Sequence, residues 1–226
     1  MKKSILLFIA LIIAGISYGQ VGLGIRAGYG VTKLTKRPYI SVESNPHTSR
    51  WIPAPTAGLV MDITVSDIFF LQLEAVYSGL GAEYDLTDSP SDETTADGST
   101  TLREYFHLIE FPIVAKFATY DTKLTKFLEF GFNPGYFISG AYEVQNNASV
   151  EDKSGDYQFT HMKRGNFGFV VGVGIGTGFG KRASWALNLR YNHGVSDLNQ
   201  IQAENNSEYV HNQTRALTLS FILMFF

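Results

Sequence analysis

Apolar and polar residues alternate with a period of two in segments that recur along most of this chain. The last of these segments, residues 217–226, reads LTLSFILMFF and ends on two aromatic residues. Successive side chains of a β-strand point to opposite faces, so each segment describes a strand with one apolar face. An apolar face toward lipid around a packed or hydrated interior is typical of transmembrane barrel strands. The pattern therefore predicts a small closed β-barrel in an outer membrane.

Eight segments have the length of roughly ten residues that a tilted strand needs to cross a bilayer. They are predicted at residues 21–32, 56–65, 69–84, 105–118, 126–142, 167–179, 184–193 and 217–226. The fourth contains Pro112, which cannot donate to a strand ladder, so we expect a bulge or an unpaired position there. An even number of strands brings both chain ends to the same side, as in single-chain bacterial barrels.

Short and long connections alternate between the predicted strands. The short ones lie at residues 66–67, 118–125 and 180–183, and the long polar ones cover residues 33–55, 85–103, 145–164 and 196–213. Outer-membrane barrels have short periplasmic turns and longer extracellular loops. The predicted fold class is therefore all-β, an eight-stranded antiparallel up-and-down transmembrane β-barrel. A soluble lipocalin-like barrel or a sandwich is the alternative, but it would direct its apolar faces inward.

The N-terminus has the pattern of a secretory signal peptide. Lys2 and Lys3 precede the apolar residues 5–16, and Ser17 and Gly19 are small. This run is shorter than the ~20 residues of a membrane-spanning helix, which disfavours a retained anchor. We predict a signal peptide at residues 1–19, Sec-type export, and one outer-membrane barrel domain at residues 20–226.

Composition excludes several classes of site and partner. The chain has no cysteine, so it has no lipoprotein anchor, disulfide framework or thiolate metal site. The formal net charge is -3 and becomes -5 when the two leader lysines are removed, which leaves no overall basic character for binding nucleic acid. The 22 glycines, 17 phenylalanines and 12 tyrosines suit a membrane barrel.

Seven charged residues fall on the predicted inward faces of the strands. They are Arg26, Asp62, Glu74, Glu110, Lys116, Glu129 and Arg190. An eight-stranded barrel is just wide enough for its own side chains to fill it, and an isolated charge in its interior costs several kcal/mol. We therefore predict a structural network of ion pairs that fills the lumen. A path for protons or ions is the alternative.

No other pattern of residues predicts a catalytic, cofactor or metal site. The glycines of residues 172–178 share one strand face, and no helix with Lys-Ser/Thr follows them, which argues against a phosphate loop. His193 and Ser196, with Glu204 or Glu208, would be the residues of a lipid hydrolase, but a spacing of three requires a bulge. The remaining histidines are scattered, and no pair has the spacing of metal ligands.

Two of the long loops carry opposite charges. The first has Lys33, Lys36, Arg37 and Arg50, and the second has Asp85, Asp88, Asp92, Glu93 and Asp97. Both are expected to be solvated. The functional alternative is a surface for another envelope protein, or for divalent ions that bridge lipopolysaccharide.

Three segments show a family resemblance. They are LQLEAVYSGLG at residues 71–81, IEFPIVAK at residues 109–116 and LNLRY at residues 187–191. In these segments, and in a signal ending in Tyr18-Gly19-Gln20, the chain resembles the PorT-like outer-membrane β-barrel family common in Bacteroidetes. The resemblance covers most of the mature chain and implies an outer-membrane barrel. Some members are linked to a protein secretion machine, but no motif here is specific to that role.

The expected function is a non-enzymatic integral barrel with a filled lumen and a structural or interaction role, as an accessory subunit of an envelope or secretion complex. A narrow channel for small solutes and an outer-membrane lipid hydrolase are the alternatives. The expected partners are outer-membrane lipid, lipopolysaccharide and another envelope protein. No cofactor and no nucleic acid are expected.

Overall fold

The computed structural model describes residues 21–35, 49–86, 100–120, 124–146, 153–156, 159, 163–177, 183–198 and 213–226. Its strands are β1 (Val21–Leu34), β2 (Ser49–Arg50), β3 (Ile52–Thr64), β4 (Phe69–Leu86), β5 (Thr100–Glu110), β6 (Ile113–Tyr120), β7 (Thr125–Asn146), β8 (Lys153–Asp156), β9 (Gly165–Thr177), β10 (Ala183–Gly194) and β11 (Thr214–Phe225). The predicted signal peptide and the greater part of the long loops lie outside the described residues. Within those residues, no helix is long and apolar enough to cross a membrane.

The strands form one closed antiparallel sheet. Its order is β1, β3, β4, β5 with β6, β7, β9, β10 and β11, which pairs back to β1. This is an eight-stranded barrel, so the predicted fold is confirmed. The directly paired residues can be followed round the barrel from Arg26 in both directions until they meet on β9. Through β3 they end at Asn166, and through β11 they end at Gly176, ten residues further along the same strand. Such a stagger is the shear that closure of a barrel requires.

The predicted fourth strand, residues 105–118, is divided into β5 and β6. Phe111 and Pro112 lie between them, where the proline has no amide hydrogen to donate. The carbonyl of Pro112 still accepts a hydrogen bond from the Glu74 amide at 3.0 Å, and the Phe111 amide donates to the Pro134 carbonyl at 2.8 Å. The predicted interruption is confirmed, and it does not open the barrel because β5 and β6 both pair with β4 and β7.

The outer face of the barrel is apolar and exposed. Leu23, Leu59, Leu128, Val171 and Leu219 are each between 55% and 65% exposed. A soluble barrel has the opposite arrangement, since it must bury its apolar side chains against one another. A continuous exposed apolar belt is the surface that contacts hydrocarbon in a membrane barrel. The soluble alternative is therefore wrong for this chain.

Apolar clusters fill the two ends of the barrel interior. The cluster at the end with the long loops contains Leu34, Leu80, Ala82, Tyr84, Leu102, Phe106, Leu108, Phe137 and Leu198. The cluster at the end with the short turns contains Val60, Phe70, Ala118, Phe127, Ala186, Ile222 and Met224, with Phe226 packed against it. Buried polar and charged side chains occupy the space between them.

The inward glycines of β9 make room for bulky side chains of β7. A Cβ atom at Gly172 would lie 2.6 Å from Oε1 of Glu129, and one at Gly174 would overlap the ring of Phe127. These close approaches explain why glycine alternates with apolar residues along β9. The alternation therefore serves packing, which agrees with the argument against a phosphate loop.

Candidate functional site: a charged layer in the barrel lumen

The seven charged residues predicted to face the lumen are all buried. Each is at most 7% exposed, and they lie on β1, β3, β4, β5, β6, β7 and β10. On its own strand, each of them alternates with outward-facing apolar residues, which is why the sequence pattern directs it inward. The structure brings six of them into ion pairs and places the seventh, Glu110, among neutral partners.

Glu74 is the centre of the charged layer. Its carboxylate accepts a hydrogen bond from Nη1 of Arg26 at 2.6 Å, and from Nη2 and Nη1 of Arg190 at 2.8 and 2.9 Å. Nε2 of the Gln72 side chain donates a hydrogen bond to the same carboxylate. One carboxylate thus holds two guanidinium groups together, in the two-pronged geometry that makes arginine pairs strong and directional.

The two arginines are held by further groups on other strands. Nε of Arg190 donates to Oε1 of Glu129 at 2.6 Å. Nη2 of Arg26 donates to Oδ1 of Asn188 at 2.8 Å and to Oγ of Ser220 at 3.2 Å. These contacts connect β1, β4, β7, β10 and β11 across the lumen, so the network braces both sides of the barrel.

Lys116 and Asp62 form a second buried ion pair. Nζ of Lys116 lies 2.7 Å from Oδ2 of Asp62, and it is 5.3 Å from the ring centroid of Phe127. A cation over an aromatic face gains further electrostatic stabilisation where it is desolvated. The pair therefore has its own local environment beside the apolar cluster at the short-turn end.

Glu110 differs from the other three carboxylates of the predicted network, Asp62, Glu74 and Glu129. It accepts hydrogen bonds from the Ser78 hydroxyl and, at 2.6 Å, from Nδ2 of Asn133. No cation of the described residues forms an ion pair with it. Glu110 lines a cavity of about 40 Å³, which has room for roughly three water molecules. The site is therefore a packed polar layer that contains a small cavity.

The sequence pattern did not predict which neutral side chains contact the lumen charges, and it missed one buried acid. Gln72, Asn133 and Asn188 fall on inward positions in the sequence pattern, but only the structure shows which charge each one contacts. Glu104 is also buried, at 3% exposure. It lies one residue before the predicted start of its strand, and β5 in fact begins at Thr100. A longer inward pattern upstream of residue 105 would have revealed it.

The structure does not bring His193 and Ser196 together as a catalytic pair. The Ser196 hydroxyl accepts a hydrogen bond from the Phe167 amide at 2.7 Å and donates to the Phe167 carbonyl at 3.2 Å. Nδ1 of His193 is 3.3 Å from the Tyr191 hydroxyl. Glu204 and Glu208 lie outside the described residues. Among the residues that are described, no group of acidic or histidine side chains could hold a metal ion.

Of the charged loop residues, the structure describes Lys33, Arg50 and Asp85. Lys33 lies on β1, one residue before the strand ends, and its Nζ is 5.0 Å from the ring centroid of Trp51. Arg50 lies on β2, 3.6 Å from a carboxylate oxygen of Glu83, which also binds Nε of Arg103 at 2.6 Å. Asp85 belongs to β4. The other predicted loop charges, Lys36, Arg37, Asp88, Asp92, Glu93 and Asp97, lie outside the described residues.

Residues 15–200 match the family model described as "Outer membrane protein beta-barrel domain". No curated protein matches the sequence. Several solved outer-membrane structures are similar over nearly their whole length, at low sequence identity. Neisserial surface protein A has 11% identity and a TM-score of 0.42, over 89% of this chain and 95% of its own.

Two further structures show the same level of similarity. OprG from Pseudomonas aeruginosa has 10% identity and a TM-score of 0.49, over 92% of this chain and 97% of its own. Ail, the attachment invasion locus protein of Yersinia pestis, was solved with the heparin analogue sucrose octasulfate; it has 9% identity and a TM-score of 0.35, over 91% and 99% of the two chains.

Proposed function

The chain belongs to the outer membrane protein beta-barrel domain family and is located in the outer membrane, and from that premise we propose that it is a closed, non-enzymatic barrel. Its role is structural, or that of an interaction component of the cell envelope. The observation that carries the proposal is the filled interior, in which Glu74 joins Arg26 and Arg190 between two apolar clusters. A conducting barrel needs a continuous hydrated path, and a small barrel filled by side chains lacks the space for one.

The absence of an enzymatic role is part of the proposal. The lipid hydrolase alternative needs His193 to activate the Ser196 hydroxyl, and both groups have other hydrogen-bond partners. A serine nucleophile requires a base within hydrogen-bond reach. The expected result is therefore no release of fatty acid from lipid A or phospholipid by the folded protein, and hydrolysis lost on Ser196→Ala would contradict it.

Planar-bilayer recording tests the closed lumen directly. We expect the purified, folded barrel to give no steady single-channel steps, because its polar layer is ion-paired and both ends are packed. The protein should be shown to be folded by a heat-dependent shift in electrophoretic mobility, so that a silent bilayer is not the result of an unfolded sample. Steady steps from the folded form would contradict the proposal and favour the narrow-channel alternative.

We further propose that the barrel is an accessory subunit of an envelope complex, as the PorT-like resemblance implies. The segments at residues 71–81 and 109–116 that carry this resemblance belong to β4, β5 and β6, which are barrel strands, so they bear on fold more than on assembly. Chemical cross-linking in native membranes, followed by detergent extraction and mass spectrometry, tests this role. A reproducible envelope-protein partner is expected, and recovery of the barrel alone would argue against a subunit role.

A further inference from the structure

Three neighbouring strands place a basic side chain at the same level on the outer face of the barrel. Lys33 of β1 lies directly opposite Arg215 of β11, which lies directly opposite His193 of β10. We name Lys33, Arg215 and His193 the basic row. All three are partly exposed and share the parity of the outward residues of their strands. The basic row therefore faces away from the lumen.

The basic row lies at the edge of the apolar belt. Two residues closer to the membrane centre, the same three strands place Val31, Leu217 and Tyr191 side by side. In the other direction, β1 and β10 end one residue beyond the row, and β11 begins one residue before it. These strand ends lead into long loops, which are extracellular in outer-membrane barrels. The row is therefore at the level of the lipid headgroups of the outer leaflet.

The charges of Lys33 and Arg215 in the basic row are not balanced by the described part of the protein. None of its three side chains forms an ion pair with a described carboxylate. Like charges directly opposite each other, as Lys33 and Arg215 are, destabilise a sheet. Nε of Arg215 has no hydrogen-bond partner among the described residues. By contrast, Arg50 and Arg103 at the same end of the barrel share Glu83.

The three side chains together have the donors that a phosphate group requires. A guanidinium can donate two parallel hydrogen bonds to phosphate oxygens, and a lysine ammonium adds a point charge. Nδ1 of His193 is 3.3 Å from the Tyr191 hydroxyl, so Nε2 is the ring nitrogen that can contact a phosphate oxygen. The neighbouring aromatic rings of Trp51 and Tyr191 suit the interface between headgroups and hydrocarbon.

We propose that the basic row binds the phosphate groups of lipid A, the membrane anchor of lipopolysaccharide, in the outer leaflet. The acyl chains would then lie along Val31, Leu217 and Leu219, directly below the row. The charge complementarity is the argument for this occupant, because the unbalanced charges of Lys33 and Arg215 beside an apolar belt match an anionic headgroup on acyl chains. The inference rests on the proposed outer-membrane barrel and names one lipid partner of its surface.

Native mass spectrometry of the detergent-solubilised barrel, titrated with purified lipid A, tests the proposal. The wild type is expected to retain phosphorylated lipid A and to bind dephosphorylated lipid A more weakly. Each of Lys33→Gln and Arg215→Gln should weaken binding roughly fivefold, and both together about 25-fold, as expected for single cations near an anionic lipid surface. The variants should fold, since each removes one partner of a repulsive pair.

Lys126→Gln is the matched control. Lys126 is an exposed cation on the outer face at the opposite end of the barrel, opposite Ile175. Its replacement should leave lipid A binding unchanged. Equal loss in the control would overturn the assignment to the basic row, and so would undiminished binding by the double variant. Displacement of lipid A by excess inorganic phosphate alone would overturn the lipid assignment.

These outcomes are separate from those that test the closed lumen. A folded, non-conducting barrel whose double variant keeps full lipid A binding would contradict only the basic row. A conducting barrel that loses lipid A in the double variant would contradict only the closed lumen.

Discussion

Replacement of Glu74 by glutamine is expected to destabilise the folded barrel by about 3–5 kcal/mol, the usual cost of removing one partner from a buried ion pair. The change removes the charge that Arg26 and Arg190 share while it conserves the size of the side chain. Arg190 would keep Glu129, but Arg26 would retain only the neutral groups of Asn188 and Ser220. The two buried guanidinium groups would then have a single ion-paired carboxylate, that of Glu129 on Arg190.

The loss can be measured by urea titration in detergent micelles, followed by the fluorescence of the two tryptophans. Glu110→Gln is the matched control, because it makes the same change to a buried lumen carboxylate that has only neutral described partners. The control is expected to be considerably less destabilised than Glu74→Gln. Equal destabilisation of the two variants would mean that the shared ion pairs do not dominate the stability of the charged layer.

A substitution that places a charge in the middle of the outer apolar belt is expected to have the second large effect on the stability of the barrel. Val173→Arg should destabilise the barrel in a lipid bilayer by about 2–4 kcal/mol, the cost of arginine at the membrane midplane of a transmembrane barrel. Val173 is 49% exposed and lies opposite Leu128 on one neighbouring strand and Leu189 on the other. No polar group of these neighbours could receive the guanidinium.

Folding into phospholipid vesicles under increasing urea measures this effect. Val65→Arg is the control, since Val65 is 59% exposed but lies in the turn between β3 and β4 at the edge of the belt. Near the interface the same substitution should cost only about 0–1 kcal/mol. If both variants fold as well as the wild type, the outer face does not contact hydrocarbon.

The alternating pattern predicted the barrel and the direction of its charged side chains for a physical reason. A strand has a period of two, so Glu74 must face opposite to Leu73 and Ala75 whatever surrounds the strand. The same logic places Gln72 on the lumen side. Strand ends were less predictable, because polar residues can extend a strand beyond the membrane, as in β4 and β5.

The partners within the lumen could not be predicted from the pattern. Glu74 meets Arg190, 116 residues away in the chain, and Lys116 meets Asp62, 54 residues away. Which inward groups meet depends on side-chain length and on the stagger of the strands, and neither is visible in one strand alone. The direct partners of Glu110, the neutral groups of Ser78 and Asn133, depend on the same factors.

The sequence by itself therefore determined that the chain forms an eight-stranded barrel, which strand face is apolar, and which charges are directed inward, because these properties depend on the two-residue period of each strand. Only the tertiary structure decided that Glu74 joins two arginines and that Lys33, Arg215 and His193 form one row. Such groupings require the closed ring to set the register between strands that are far apart in the chain.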